Sequence, residues 1–212
     1  MNLIIFGATG RTGRELVTQA LEQGYAVTAF VRDSTRMHMT HDNLKIVHGN
    51  IDSYPDILSV VQSTRYDAAL FALGSKSPFR RNPVLNNAMK NIIRAMEDSG
   101  TERFIHISFI GTRPDAGRLG MMYRFVIPVF MRNLLADHRE KEQLLQSSSL
   151  DWMIAQPPML TNGPRTGQYT YSAGIDKSKA GKLKLSRANL AEFMLKQLED
   201  HAYSRKEVFV TE

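Results

Sequence analysis

Gly7, Gly10 and Gly13 stand three residues apart, directly behind the apolar run Leu3-Ile4-Ile5-Phe6. A buried strand that ends in such a turn and enters a helix is built to hold a dinucleotide pyrophosphate. Glycine permits the tight turn and lets backbone approach the ligand. The helix that follows directs unpaired N–H groups and its positive dipole end at the phosphates. Gly7, Thr9, Gly10, Arg11, Thr12 and Gly13 are therefore candidate cofactor contacts, with Gly13 letting the helix sit close to the sheet. The spacing is G-x-x-G-x-x-G, not the commoner G-x-G-x-x-G, so its position between strand and helix carries the weight. A plain strand-to-helix turn is the bland alternative.

About 20 residues past such a motif, the end of the second strand reads the adenosine ribose. Here the strand ends in Arg32. A guanidinium offers a planar fork for a 2′-phosphate. Arg36 and Arg11 can join it, which points to NADP as cofactor. Asp33 dissents: facing the ribose in place of Arg32, it would select NAD. Asn50 and Ile51 follow the third strand, where an amide and an apolar side chain can flank adenine. Leu73-Gly74-Ser75-Lys76 ends the fourth strand near the pyrophosphate and nicotinamide ribose.

The catalytic candidates are Ser108, at the end of the fifth strand, and His138. Ser108 can hydrogen-bond the nicotinamide or the acceptor, and a strand-end serine can equally bond local backbone. His138, beside Asp137 and Glu142, can contact the ribose or donate a proton. A lone histidine on a charged helix is more often solvated. Lys141 can neutralise an anionic substrate, although lysines on such helices are ordinarily exposed. A Tyr-x-x-x-Lys dyad is absent, because Tyr123 and Lys141 have the wrong spacing. No His/Asp/Glu cluster has metal-ligand spacing, and no metal is expected.

These residues need a scaffold. The spacing predicts helices over 12–23, 54–62 and 83–99, a helix containing Leu134, Leu135, Leu144 and Leu145, and one starting near Ser186. Strands are predicted at 3–6, 25–31, 44–48, 68–73, 103–108, 152–155 and 208–210. Alternating strands and helices, with strands apolar on both faces, mean a doubly wound parallel sheet of Rossmann type. One NAD(P)-binding domain over 1–212 is expected, with 157–185 forming substrate-side loops and short strands. The apolar run 121–131 reads as core by default, with a lid or a subunit contact as alternatives.

Of the 212 residues 42% are hydrophobic, enough for a sizeable core, and there is no cysteine. Disulfides, thiolate metal sites and a cysteine nucleophile are thereby excluded. The net charge of +6 comes from scattered residues. It suits attraction of a phosphate-bearing cofactor better than nucleic acid. No run reaches the roughly 18–20 apolar residues of a membrane span. A cytoplasmic chain is expected, with a small-molecule substrate, no nucleic-acid or membrane partner, and a monomeric or weakly dimeric state.

Gly7–Gly13, Val31-Arg32-Asp33 and the 152–158 segment resemble the atypical short-chain dehydrogenases/reductases. The nearest type is biliverdin reductase B / NADPH-dependent flavin reductase. Gln156-Pro157-Pro158 and Thr166-Gly167-Gln168-Tyr169 belong to the same likeness, which covers nearly the whole chain. The resemblance implies an NADPH-bound Rossmann domain with an open, shallow site, reducing flavins or related flat acceptors. Flavin would then be a substrate, not a tightly held group. It implies that Arg32 and Arg36 hold the 2′-phosphate, and that Leu73, Gly74, Ser108, Pro158 and Met159 line the nicotinamide end. Two departures weaken a tetrapyrrole substrate: Phe109 replaces a second hydroxyl, and Met159 a histidine. A non-catalytic NADP(H) sensor and a sugar-nucleotide epimerase or dehydratase are the alternatives.

Overall fold

The alternation within single strands decides the architecture. In β1 (Asn2–Phe6), Leu3 and Ile5 point to one face and Ile4 and Phe6 to the other, and all four are fully buried. A strand apolar on both faces must be covered on both. The computed structural model describes residues 1–75, 77, 79–175, 181 and 183–212. Lys76, Pro78, 176–180 and 182 lie outside them.

β1 leads through the glycine turn into α1 (Arg11–Glu22), β2 (Ala26–Val31), β3 (Leu44–His48) and α2 (Tyr54–Gln62). Then come β4 (Ala68–Phe71), α3 (Pro83–Ser99), β5 (Arg103–Ile107), the short α4 (Ile127–Phe130) and α5 (Arg132–Gln146). β6 (Asp151–Gln156), β7 (Met159–Thr161), β8 (Thr170–Ser172), β9 (Lys184–Ser186), α6 (Arg187–Lys196) and β10 (Lys206–Thr211) complete the order. The central sheet has eight strands in the order β3-β2-β1-β4-β5-β6-β10-β8. Its pairings are parallel except the outer β10–β8 pair. This is a Rossmann-type α/β fold. Its strand order reverses between β1 and β4, and ligands bind such sheets outside the carboxyl ends at that point.

Leu16, Val17 and Ala20 of α1 pack with Leu190, Ala191 and Met194 of α6 over one face. Ile57 and Val60 of α2, Met89, Ile92 and Met96 of α3, and Leu145 of α5 cover the other. Local chemistry sets the helix ends. Pro83 opens α3 at a position where proline loses no hydrogen bond, and Ser186 caps α6 by accepting from Asn189 N at 3.1 Å.

Three features depart from the sequence reading. β4 stops at Phe71, two residues early, and the chain from Ala72 to Gly74 lines a cleft instead. β7 and β9 fall at the ends of the 157–185 stretch, where short strands were expected, but their pairing with each other in a separate parallel sheet is a non-local contact with no periodicity to announce it. The 121–131 segment is not core. A π-helical stretch over Met122–Val126 runs into α4, and only Tyr123 and Ile127 are buried in the small cluster they share with Ile110, Leu135 and Phe209.

Candidate functional site

A cleft of about 610 Å³ lies over the carboxyl ends of β1, β2 and β4, at the reversal of strand order. Gly7, Thr9 and Gly10 form its floor, Arg32, Asp33 and Arg36 one end, and Ala72–Ser75 with Asn82 and Leu85 the other. Gly7 has φ +93°, and a Cβ there would meet the Ala72 carbonyl carbon at 2.8 Å. Only glycine allows β1 and the exit of β4 to pass so closely. A Cβ on Gly13 would meet the Gly7 carbonyl oxygen at 2.0 Å, so α1 also needs glycine to lie against the turn.

No side chain caps the amino end of α1, and its first turn carries no acid. The first helical bond runs from Arg14 N to Gly10 O at 2.9 Å, leaving the preceding N–H groups beside the cleft floor. No carboxylate of a described residue pairs with the Arg32 or Arg36 guanidinium. The Asp33 carboxylate is engaged: Oδ1 accepts from Thr35 N at 3.1 Å and from Thr35 Oγ1 at 2.6 Å. Those bonds hold its pKa below the ordinary carboxylate value. Uncapped N–H groups, an open backbone floor and two guanidiniums that no described carboxylate pairs form a donor set suited to the phosphates of a dinucleotide.

The structure sorts the remaining residues singled out from sequence. Ile51, Leu73 and Gly74 line the cleft. Arg11 is exposed and Thr12 buried, both in the first turn of α1 and off the cleft lining. Asn50 is exposed; its Oδ1 accepts from Asp52 N at 3.1 Å. Pro158 is buried and Met159 is 63% exposed, and neither lines the cleft. Lys76 lies outside the described residues.

Ser108 and His138 also lie off the cleft lining, but they meet each other. Ser108 Oγ sits 2.5 Å from Glu142 Oε1 and 3.1 Å from His138 Nδ1. A serine has one proton; with Oγ–H donated in a hydrogen bond to Glu142 Oε1, the tautomer that satisfies the second contact has His138 Nδ1–H as donor to Oγ. The local-backbone role for Ser108 is thus replaced by a side-chain cluster. Thr112 Oγ1 and Gln156 Nε2 donate to the same Glu142 oxygen at 2.8 and 3.0 Å. Arg113 Nη1 donates to Gln156 Oε1 at 3.2 Å and lies 3.7 Å from Glu207.

The solvated readings of His138 and Lys141 are corrected: they are 9% and 1% exposed. Both lie on the buried side of α5 together with Leu135, Glu142 and Leu145, the helix packing against α3 and β6. Burial and the nearby Lys141 charge push His138 well below the usual histidine range. Burial lowers Lys141 to about 8 against the pull of Asp137, Glu142 and Glu140. Burial raises Glu142 despite its three hydrogen bonds. A carboxyl with a raised pKa behind a serine hydroxyl can store and release a proton. Sequence reasoning gave Thr112 and Gln156 no part in a catalytic site, read Glu142 only as a neighbour of His138, and read Lys141 as a group that could neutralise an anionic substrate. The spacing 135, 138, 142, 145 was the signal for Glu142; Thr112 offered none.

A family model described as NAD(P)H-binding matches residues 7–201. An uncharacterized chloroplastic protein of Arabidopsis thaliana is 29% identical over 172 residues, which span 78% of this chain and 61% of that protein. The chain thus covers less than two thirds of that relative's length. Two solved structures share the fold. A short-chain dehydrogenase/reductase of Veillonella parvula in complex with NADP superposes with a TM-score of 0.80 at 17% identity, over 100% of this chain and 94% of that one. ChuY of Escherichia coli O157:H7, described as an anaerobilin reductase, gives a TM-score of 0.79 at 18% identity, over 100% and 97%.

Proposed function

The chain belongs to the NAD(P)H-binding family, and from that premise we propose that it is an NADPH-dependent reductase of a flat aromatic acceptor, flavin-like in shape. The observation that carries this reading is the cleft, in which the glycine floor continues into Arg32 and Arg36 with Asp33 tied to Thr35. NADPH, when bound, supplies a hydride. The protein's own residues do the rest. The amino end of α1 and the Gly7–Gly10 backbone bind the pyrophosphate. Arg32 and Arg36 hold the 2′-phosphate, and Gly74 lets the nicotinamide end approach β4. Ser108 Oγ, backed by Glu142 and His138, holds the proton at the acceptor end. Positioning two flat rings supplies most of the rate.

The test is oxidation of NADPH and of NADH with FMN as acceptor. NADPH should be preferred. Arg32→Ala should raise the NADPH KM about tenfold or more, the loss of one charge-assisted contact, and leave NADH unchanged. Equal kinetics for Arg32→Ala and parent would remove the 2′-phosphate assignment. Ser108→Ala should lower kcat with the NADPH KM unchanged. A second reading, an NADP(H)-binding sensor, is favoured by the burial of Ser108 and His138 away from the cleft lining. Tight NADPH binding with no turnover of flavins, quinones or tetrapyrroles would select it.

A further inference from the structure

Six large apolar side chains stand together outside the core: Met121, Met122, Phe125, Val126, Val129 and Phe130. Their exposures run from 48% at Val126 to 76% at Met121. On a continuous helical segment the positions i, i+1, i+4, i+5, i+8 and i+9 form one stripe. The opposite side supplies the anchors: Tyr123, whose ring lies 6.2 Å from that of Phe109, and Ile127. The stripe therefore faces outward because the anchors face in. Phe79, 66% exposed, borders the same region, since its carbonyl accepts from Asn133 Nδ2 at 2.6 Å. An apolar surface of this kind on a water-soluble fold marks a docking site.

Charge identifies what docks. From Ala116 to Ala136 the charged residues are Arg118, Arg124 and Arg132, with no acid among them. All three are exposed. Apolar residues along one side and arginines beside them are the pattern of helices that lie in the headgroup plane of a bilayer. Ten helical residues at about 1.5 Å each reach only half of a hydrocarbon core of about 30 Å, so the segment lies on a bilayer and does not cross it. A second copy suits the face poorly. A two-fold interface would set the same arginines against each other, in a chain of net charge +6.

We propose that the 121–130 segment docks this protein on an anionic lipid surface, with the apolar stripe in the headgroup–acyl boundary and Arg118, Arg124 and Arg132 against lipid phosphates. This departs from the sequence-level expectation of no membrane partner, which rested on the absence of a run long enough to span, with core packing as the default for 121–131. The inference does not depend on the reductase reading; none of residues 121–131 lines the cleft.

The experiment is co-sedimentation of the whole protein with phosphatidylcholine vesicles and with vesicles containing added phosphatidylglycerol. The parent should bind the anionic vesicles, and added salt should release it. Phe125→Asp with Val129→Asp should lower the partition coefficient at least roughly tenfold, the expected loss for two immersed side chains. Arg124→Glu with Arg132→Glu keeps the stripe and should also abolish the preference for anionic vesicles. Unchanged melting temperature and NADPH-binding fluorescence would show that both variants fold. The proposal is overturned by a parent that stays in the supernatant with anionic vesicles at low salt, or by binding that ignores lipid charge. A parent dimer that Phe125→Asp/Val129→Asp dissociates, without vesicle binding, would assign the stripe to a second copy instead.

Discussion

Gly13→Ala tests whether the glycine turn is built by close backbone contact. The added Cβ would meet the Gly7 carbonyl oxygen at 2.0 Å, the Gly7 carbonyl carbon at 2.7 Å and Ala8 Cα at 2.9 Å. All three are backbone atoms, so no rotamer relieves the clash. The turn cannot retreat either, because Gly7 is itself held at φ +93° against Ala72 and Leu73. Reaching ordinary contact at 3.4 Å requires α1 to move outward by about 1.4 Å. That shift loosens Leu16, Val17 and Ala20, which are fully buried. Overpacking of this kind costs about 1–3 kcal/mol, and an unyielding backbone places it at the upper end. Better helix propensity returns up to about 1 kcal/mol, for a net loss of about 2 kcal/mol. In a chain of this length that lowers Tm by roughly 4–8 °C. Urea unfolding and an NADPH fluorescence titration are the assays. Affinity should fall with stability, because the same movement displaces the N–H groups at the floor of the cleft. Gly74→Ala is the control for stability: nothing lies within 4 Å of its Cβ position, and no change is expected. A Gly13→Ala variant with parental stability and parental affinity would refute the close-packing account.

Lys141 binds its proton less tightly in the fold, at about 8 against 10.5 for the free side chain. Between those values the unfolded chain holds more protons, so stability rises with pH across that window. Lys141→Met should therefore stabilise the protein at pH 7 by about 3 kcal/mol, a gain that fades towards pH 10.5 when Tm is followed against pH. His106 and His138 are buried and held well below 6.5. As pH falls through 6.5 the unfolded chain takes up protons that the folded chain refuses, and stability drops by up to about 1.4 kcal/mol per pH unit for each. His106→Leu should flatten that acid limb in urea titrations at pH 7 and pH 5. Asp137 accepts from Asn82 N at 2.7 Å, capping α3 where the Asn82 side chain makes no cap. Asp137→Ala should cost about 1–2 kcal/mol in urea unfolding, and an unchanged midpoint would remove the capping role.

Much of the fold was legible because its signals are local. Both faces of β1 are apolar in four consecutive residues, Ser53 and Pro83 open α2 and α3, and Gly100 closes α3 in the left-handed region. The cleft positions of the glycine turn and of Arg32 were legible for the same reason: each follows directly on a strand end that the local pattern marks. The rest depends on contacts between distant segments. Composition made core the default for 121–131, with a lid or a subunit contact as alternatives, but the fold buries only Tyr123 and Ile127 of that run. The Ser108 cluster joins the end of β5 to Thr112, α5 and Gln156 of β6. No spacing in the chain predicts that Thr112 and Gln156 share one carboxylate oxygen. Charge also misled: Asp137, His138, Lys141 and Glu142 look like a solvated face, whereas the apolar residues before and after them, Leu135 and Leu145, lie on the buried side.

That side of α5 changes character along its length, and the change bears on function. At the Leu145 end it meets the apolar cluster of Met96, Leu150 and Trp152. Towards its amino end it places His138, Lys141 and Glu142 beside Ser108, at the carboxyl end of β5. Packing does not require this. An apolar side chain at position 141 would avoid the burial of a charge, and buried ionisable groups add little net stability even when paired. The perturbed groups of α5 lie at the end of the sheet where this fold binds ligands, whereas the other end of the same helix is ordinary core. Under the proposed reductase reading this placement serves proton chemistry at Ser108, and Glu142→Gln tests that role against a scaffolding one. Gln keeps an acceptor for Thr112 and Ser108 but cannot store a proton, so under the chemical role turnover falls while Tm changes little.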